Sequence, residues 1–180
     1  MSRHIALLRG INVGGKGLLK MTDLRRLFER AGAEEVSTYI ASGNVLFSAS
    51  ARDLPGIRRR AESALENVLG AGALTVWRTA AELQRVLEAD PFPRAWAKDE
   101  AHRYVIFLAR KPKVARRAPW RSERDACHVV AMTGLHAYVR SYRLPTGWSG
   151  FPNNMLEDAL GVNATTRTWR TVEKLAALVE

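Results

Sequence analysis

Val36-Ser37-Thr38-Tyr39-Ile40-Ala41-Ser42-Gly43-Asn44-Val45-Leu46-Phe47-Ser48 decides the fold. Residues 36–41 and 45–48 are rich in β-branched and aromatic side chains. Ser42-Gly43-Asn44 between them is a tight turn in which Gly43 or Asn44 takes positive φ without strain. The stretch reads as a β-hairpin, and its flanks decide what kind of sheet it joins.

On the N-terminal side, Leu24, Leu27, Phe28 and Ala31 recur at helical spacing, with Thr22 as N-cap and Gly32 where a left-handed residue ends a helix. Before that helix, the unbroken run Ile5-Ala6-Leu7-Leu8 predicts a strand buried on both faces. On the C-terminal side, Asp53 and Pro55 open a helix with Ile57, Ala61, Ala64, Leu65, Val68 and Leu69 on one side and Gly70 at its end. Residues 73–77 then alternate as a half-buried strand. The order is βαββαβ, the split-βαβ arrangement called ferredoxin-like.

Thr79-Ala80-Ala81-Glu82 is a capping box for a short helix, which Asp90-Pro91-Phe92-Pro93 stops. The boundary between two subdomains, 1–90 and 91–180, is placed there. The second half opens with an apolar strand at 104–109, followed by a basic segment. Strands at 127–132 and 135–142 flank Thr133-Gly134. Asn154-Met155-Leu156-Glu157 reads as a capping box for a helix ended by Gly161, and Thr168 caps a last helix. The order β, weak helix or loop, ββ, α, α is an incomplete echo of the first half. The expected class is α+β: a ferredoxin-like unit, then a smaller α+β unit of related layout.

The 180 residues are 47% hydrophobic and 26% charged, an ordinary globular composition. No apolar run approaches the ~20 residues needed to cross a bilayer, and the N-terminal run is too short for a secretory signal. One cysteine, Cys127, makes no internal disulfide. These features predict a cytoplasmic protein with no membrane partner. The net charge of +10 is uneven, with seven basic residues against Glu123 alone between Arg110 and Arg124. Such an excess favours polyanions.

The first strand runs into Arg9-Gly10-Ile11-Asn12-Val13-Gly14-Gly15-Lys16-Gly17, a bend whose backbone N–H groups, with Arg9, Lys16 and Lys20, suit a phosphate or carboxylate. Asn12 serves there as a turn cap or a ligand contact. Gly10 to Lys16 spells the front of a P-loop, but Gly17 stands where a Ser or Thr must hold magnesium, which argues against a nucleoside triphosphatase. The Ser42-Gly43-Asn44 turn is expected at the opposite end of the sheet, ~15–20 Å away and purely structural.

Two further features suit nucleic acid. Arg110, Lys111, Lys113, Arg116, Arg117 and Arg121 surround Trp120, a stacking surface. On the strand at 135–142, His136, Tyr138, Arg140 and Tyr142 share one face. Catalytic patterns are weak. Cys127 and His128 are adjacent and so point to opposite faces of a strand, the four histidines lack metal-ligand spacing, and Glu34-Glu35 and Asp99-Glu100 read as solvated pairs. No metal or cofactor is expected.

The stretches at 6–16, at 39–47 with its Ser-Gly-Asn turn, and at 160–178 with Thr165-Thr166-Arg167 before Trp169-Arg170-Thr171-Val172 resemble the uncharacterised bacterial family labelled domain of unknown function 1697. The resemblance covers nearly the whole chain. It implies an α+β fold with ferredoxin-like halves and no established activity. Where the family usually shows a Ser-Lys step before the penultimate helix, this chain has Ser149-Gly150-Phe151-Pro152.

The resulting expectation is a non-catalytic binder of an anionic partner, nucleic acid first, acting through residues 10–17 and the basic second half. One alternative is an enzyme holding a phosphorylated small molecule at the bend, with Lys16 and Arg167 stabilising charge. The other is an interaction module that recruits a chain through an open sheet edge.

Overall fold

The computed structural model describes residues 1–12, 18–93, 103–114, 116–143 and 151–179. Two compact units emerge, Met1–Gln84 with Leu175–Glu180, and Arg85–Lys174.

The first unit contains β1 (Ser2–Leu8), α1 (Met21–Arg30), β2 (Glu34–Tyr39), β3 (Asn44–Ala49), α2 (Leu54–Leu69) and β4 (Thr75–Thr79); α3 (Ala80–Ala89) begins in it. The sheet order β2-β3-β1-β4, antiparallel throughout, is the ferredoxin-like order. β3 is buried at every position and β1 from His4 onward, as the unbroken apolar run required. The core gathers Leu24 and Phe28 of α1, Ile57, Ala61 and Leu65 of α2, and Phe47 of β3. Phe28 and Phe47 sit 5.7 Å apart, ring centre to ring centre.

Most local signals act as their residue types predict. Gly32 has φ +92° just past α1, and the Arg60 guanidinium of α2 donates to the Ala31 carbonyl at 2.7 and 2.9 Å, satisfying an orphan acceptor at the helix end. The Thr79–Glu82 box forms in both directions: the Glu82 carboxylate accepts from the Thr79 N–H at 2.8 Å, and the Thr79 hydroxyl accepts from the Glu82 N–H at 3.1 Å. The first helix differs, since Lys20 and not Thr22 is the N-cap residue, without a side-chain cap.

The second unit contains β5 (Arg103–Leu108), β6 (Trp120–Ser122), β7 (Cys127–Thr133), β8 (His136–Ser141), α4 (Pro152–Leu160) and β9 (Ala164–Thr168). It also holds the start of α5 (Trp169–Val179), where the Thr168 hydroxyl accepts from the Thr171 N–H at 3.2 Å. Its order is β6-β7-β8-β5-β9, antiparallel throughout. With β6 set aside, β7-β8-β5-β9 repeats the first sheet strand for strand, and the chain between β5 and β7 takes the place of a first helix.

Two sequence expectations are corrected here. The expected order β, weak helix or loop, ββ, α, α leaves out a strand: the stretch before the last helix is β9, paired with β5 from Tyr104↔Thr168 to Leu108↔Ala164. Asn154-Met155-Leu156-Glu157 does not cap α4, which starts earlier with Pro152 in its first turn and Phe151 as N-cap residue. The Glu157 carboxylate instead accepts the Ala164 N–H at 2.6 Å, joining the helix to β9.

Candidate functional site

The first strand ends against the hairpin turn. The Leu8 N–H donates to the Gly43 carbonyl at 2.8 Å, and Leu7 pairs with Asn44. The bend after β1 and the Ser42-Gly43-Asn44 turn therefore share one end of the sheet, which overturns their expected separation. The reason is direction. α1 returns the chain to the starting end, so β2 runs parallel to β1 and the β2–β3 turn falls where β1 finishes.

Gly43 supplies the turn's positive φ, +76°, together with Ile40 at +49°; Asn44 is a buried strand residue that donates to the Tyr39 carbonyl at 2.9 Å. A Cβ on Gly43 would lie 2.7 Å from the end of Ile11 and 2.8 Å from Leu8 Cβ, so glycine permits the close approach.

Asn12, at φ +55°, ties the two segments together. Its amide donates to the Leu19 carbonyl at 2.9 Å and the Ala41 carbonyl at 2.8 Å, and its oxygen accepts the Leu19 N–H at 2.8 Å. Both amide hydrogens thus go to protein carbonyls. The side chain clamps the ends of the 12–19 connection and fastens them to the hairpin, which is the turn-capping role. Val13, Gly14, Gly15, Lys16 and Gly17 lie outside the described residues, as do Asp99, Glu100, His102, Ser149 and Gly150. Of the other expected contacts, Arg9 is half-buried with its N–H on the Leu74 carbonyl, and Lys20 is exposed. Beside Asn12 and Lys20, a groove of about 820 Å³ runs over Leu18, Leu27 and Val68, with Arg30 in its wall.

In the second unit, Arg110, Lys111, Lys113, Arg116, Arg117 and Arg121 are all exposed. None of the six forms an ion pair with a described residue. The aromatic partners expected for them are placed otherwise. Trp120 is half-buried against the α4-side core, and the Arg116 guanidinium lies over its ring at 3.7 Å, so a protein cation occupies a face that a base would need. Tyr138 is fully buried, against Phe92 and Trp169, with its hydroxyl donating to the Val86 carbonyl at 3.1 Å. Its strand face is packed, so Tyr138 is a core residue. Arg140 is half-buried, its guanidinium 5.1 Å from the Tyr142 ring centre.

Arg167 is also interior. Only 7% exposed on β9, it donates to the Thr165 hydroxyl at 2.9 Å and the Thr166 carbonyl at 2.8 Å, and burial holds its pKa down at about 10. As expected, Cys127 and His128 face opposite ways. The Cys127 thiol is buried, and burial, then the Asp125 charge, push it up to about 12, which leaves it a thiol at neutral pH. Among the described residues no group of three or more His, Cys, Asp or Glu is placed to hold a metal ion, and no helix is long and apolar enough to cross a membrane.

Comparison with known proteins agrees with this layout. The family model described as protein of unknown function (DUF1697) matches residues 1–138. The chain belongs to this family. No curated protein matches this DUF1697 chain. Among solved structures, the conserved bacterial protein SP0830 from Streptococcus pneumoniae is similar at TM-score 0.60 and 19% identity, over 99% of both chains. That likeness shows a shared α+β fold.

Sequence reasoning missed the Asn12 clamp. It had a signal, an Asn among glycines, the residue type that tolerates left-handed backbone.

Proposed function

We propose that the protein binds a polyanion, with nucleic acid as the leading partner, through the cations of residues 110–117. The observation behind this reading is that five basic side chains there, Arg110, Lys111, Lys113, Arg116 and Arg117, are exposed and form no ion pair with a described residue. Phosphate backbones attract such side chains by releasing condensed counterions, which makes binding steeply salt-dependent. With Tyr138 buried and Trp120 covered, recognition rests on charge more than on base stacking, so affinity should vary little with sequence.

The test is fluorescence anisotropy of a labelled single-stranded oligonucleotide across a salt series, for the wild type and a variant with all five changed to Gln. The expected result is at least about tenfold weaker binding near 0.1 M salt and a shallower log–log salt slope, by ~0.7 for each phosphate no longer neutralised. Equal affinity and slope would remove this segment from the function. A second reading, a small amphipathic anion in the groove beside Lys20 and Arg30, predicts thermal stabilisation by that anion to the same extent in wild type and variant.

A further inference from the structure

The cation that covers Trp120 has a second face. Arg116 is exposed and forms no hydrogen bond or ion pair with a described residue, and its guanidinium carbon stands 3.7 Å from the centre of the Trp120 ring. That is van der Waals contact for carbon. It is too close for the guanidinium to stand on edge, so the group lies flat on the indole. The edge of a flat guanidinium carries N–H donors for phosphate, and its outer face is a plane on which a nucleic-acid base stacks. Trp120 holds that plane in place. On β6 it pairs with Val129 of β7 and packs against the core beneath α4. An arginine already resting on a fixed ring loses less freedom when a base stacks on it.

A cavity of about 340 Å³ opens beside the pair, with Arg116 and Trp120 in its wall and Met155 of α4 contributing apolar surface. The volume lies within the ~300–1,000 Å³ range of small-molecule sites. Its charged lining is mixed. Arg121 and Arg124 join Arg116, but Asp125 and Asp158 are also there. Asp125 accepts from the Ser122 hydroxyl and stands 3.5 Å from Arg124, while Asp158 is exposed and forms no ion pair with a described residue. The two carboxylates offset the arginines, so a phosphate gains less inside the cavity than along the wholly basic side chains of 110–117 outside it. An uncharged ring meets no such opposition.

We propose that Arg116, laid on Trp120, is a stacking platform for one base of a bound single strand, which enters this cavity while the flanking phosphates lie on the neighbouring cations of 110–117. The inference rests on the polyanion reading and deepens it by naming the ligand as single-stranded nucleic acid, whose bases are free to stack on protein. Arg116 then acts twice, with its edge toward phosphate and its outer face toward the base. Every base has a π face, so such a platform accepts any of them and affinity still varies little with sequence.

The experiment compares the wild type with Arg116→Lys, which keeps the charge and removes the plane. Each is titrated by anisotropy against a labelled single-stranded oligonucleotide and against an abasic strand of the same length, which carries the same phosphates and no bases. The expected result at one fixed salt concentration is about fivefold or more weaker binding of the oligonucleotide by the variant, with binding of the abasic strand changed by less than about twofold. An equal loss for both strands makes Arg116 a phosphate cation alone; it overturns the platform and leaves the polyanion reading standing. No loss for either strand overturns the platform in the same way. If neither strand binds the wild type, the polyanion reading falls and the platform falls with it.

Discussion

Gly43 answers to two constraints at once, backbone angle and space. At φ +76° a side chain is strained, and a Cβ there meets Leu8 Cβ at 2.8 Å, an atom fixed to the buried strand β1. The first constraint costs ~1–3 kcal/mol and the second, as overpacking, a similar amount. Gly43→Ala should therefore lose roughly 2–4 kcal/mol in urea unfolding, while Gly72→Ala, also at positive φ but with open space around it, should lose only the backbone share. Equal losses would mean that the turn moves away from Leu8 without cost. That Gly43 is a turn residue is legible in the hairpin pattern. Its approach to the end of β1 is not, because that depends on the direction in which β2 runs after α1, and the expected separation of turn and bend assumed the opposite direction.

At the scale of elements, α4 and β9 show what residue patterns convey and what they leave out. Asn154-Met155-Leu156-Glu157 has the spacing of a capping box, yet Glu157 lies inside the helix and bonds forward to Ala164. Bonds to a charged acceptor contribute about 1.5–3 kcal/mol. Glu157→Ala should lose about that much in chemical denaturation, Glu157→Gln distinctly less because its amide oxygen still accepts, and Asn154→Ala within about 0.5 kcal/mol of nothing. A large loss in Asn154→Ala would restore the capping role. β9 is hard to see in the sequence because Ala164-Thr165-Thr166-Arg167-Thr168 lacks apolar alternation. Besides Ala164, its interior positions are Thr165 and Arg167, satisfied by bonds to each other and to the backbone. Two clues are present: the run of β-branched threonines, and the fact that β, ββ, α needs one more strand to close a ferredoxin-like order.

Over the whole molecule, charge is the most readable property and aromatic exposure the least. Net charge is carried by the residues themselves, so the +10 excess and its concentration between Arg110 and Arg124 follow directly from composition. Whether Trp120 or Tyr138 offers a face to a ligand depends on what packs over it, and Arg116 and the Phe92–Trp169 cluster settle that only in three dimensions. The same contrast predicts how the molecule tolerates neutralisation of the basic segment. Arg3, Arg25 and Arg26 have neighbouring carboxylates in Glu35, Glu29 and Asp23, but the five cations at 110–117 have none among the described residues. Changing them to Gln lowers the net charge from +10 to +5, which relieves self-repulsion and breaks no described ion pair. The variant should melt within a few degrees of the wild type or above it at low salt, and the gap should close as salt screens the repulsion that was removed. A variant that melts more than ~5 °C lower would show that these cations hold the fold, because a drop of that size in a chain this long exceeds 1 kcal/mol; weaker oligonucleotide binding would then report unfolding and not the removal of phosphate-binding cations.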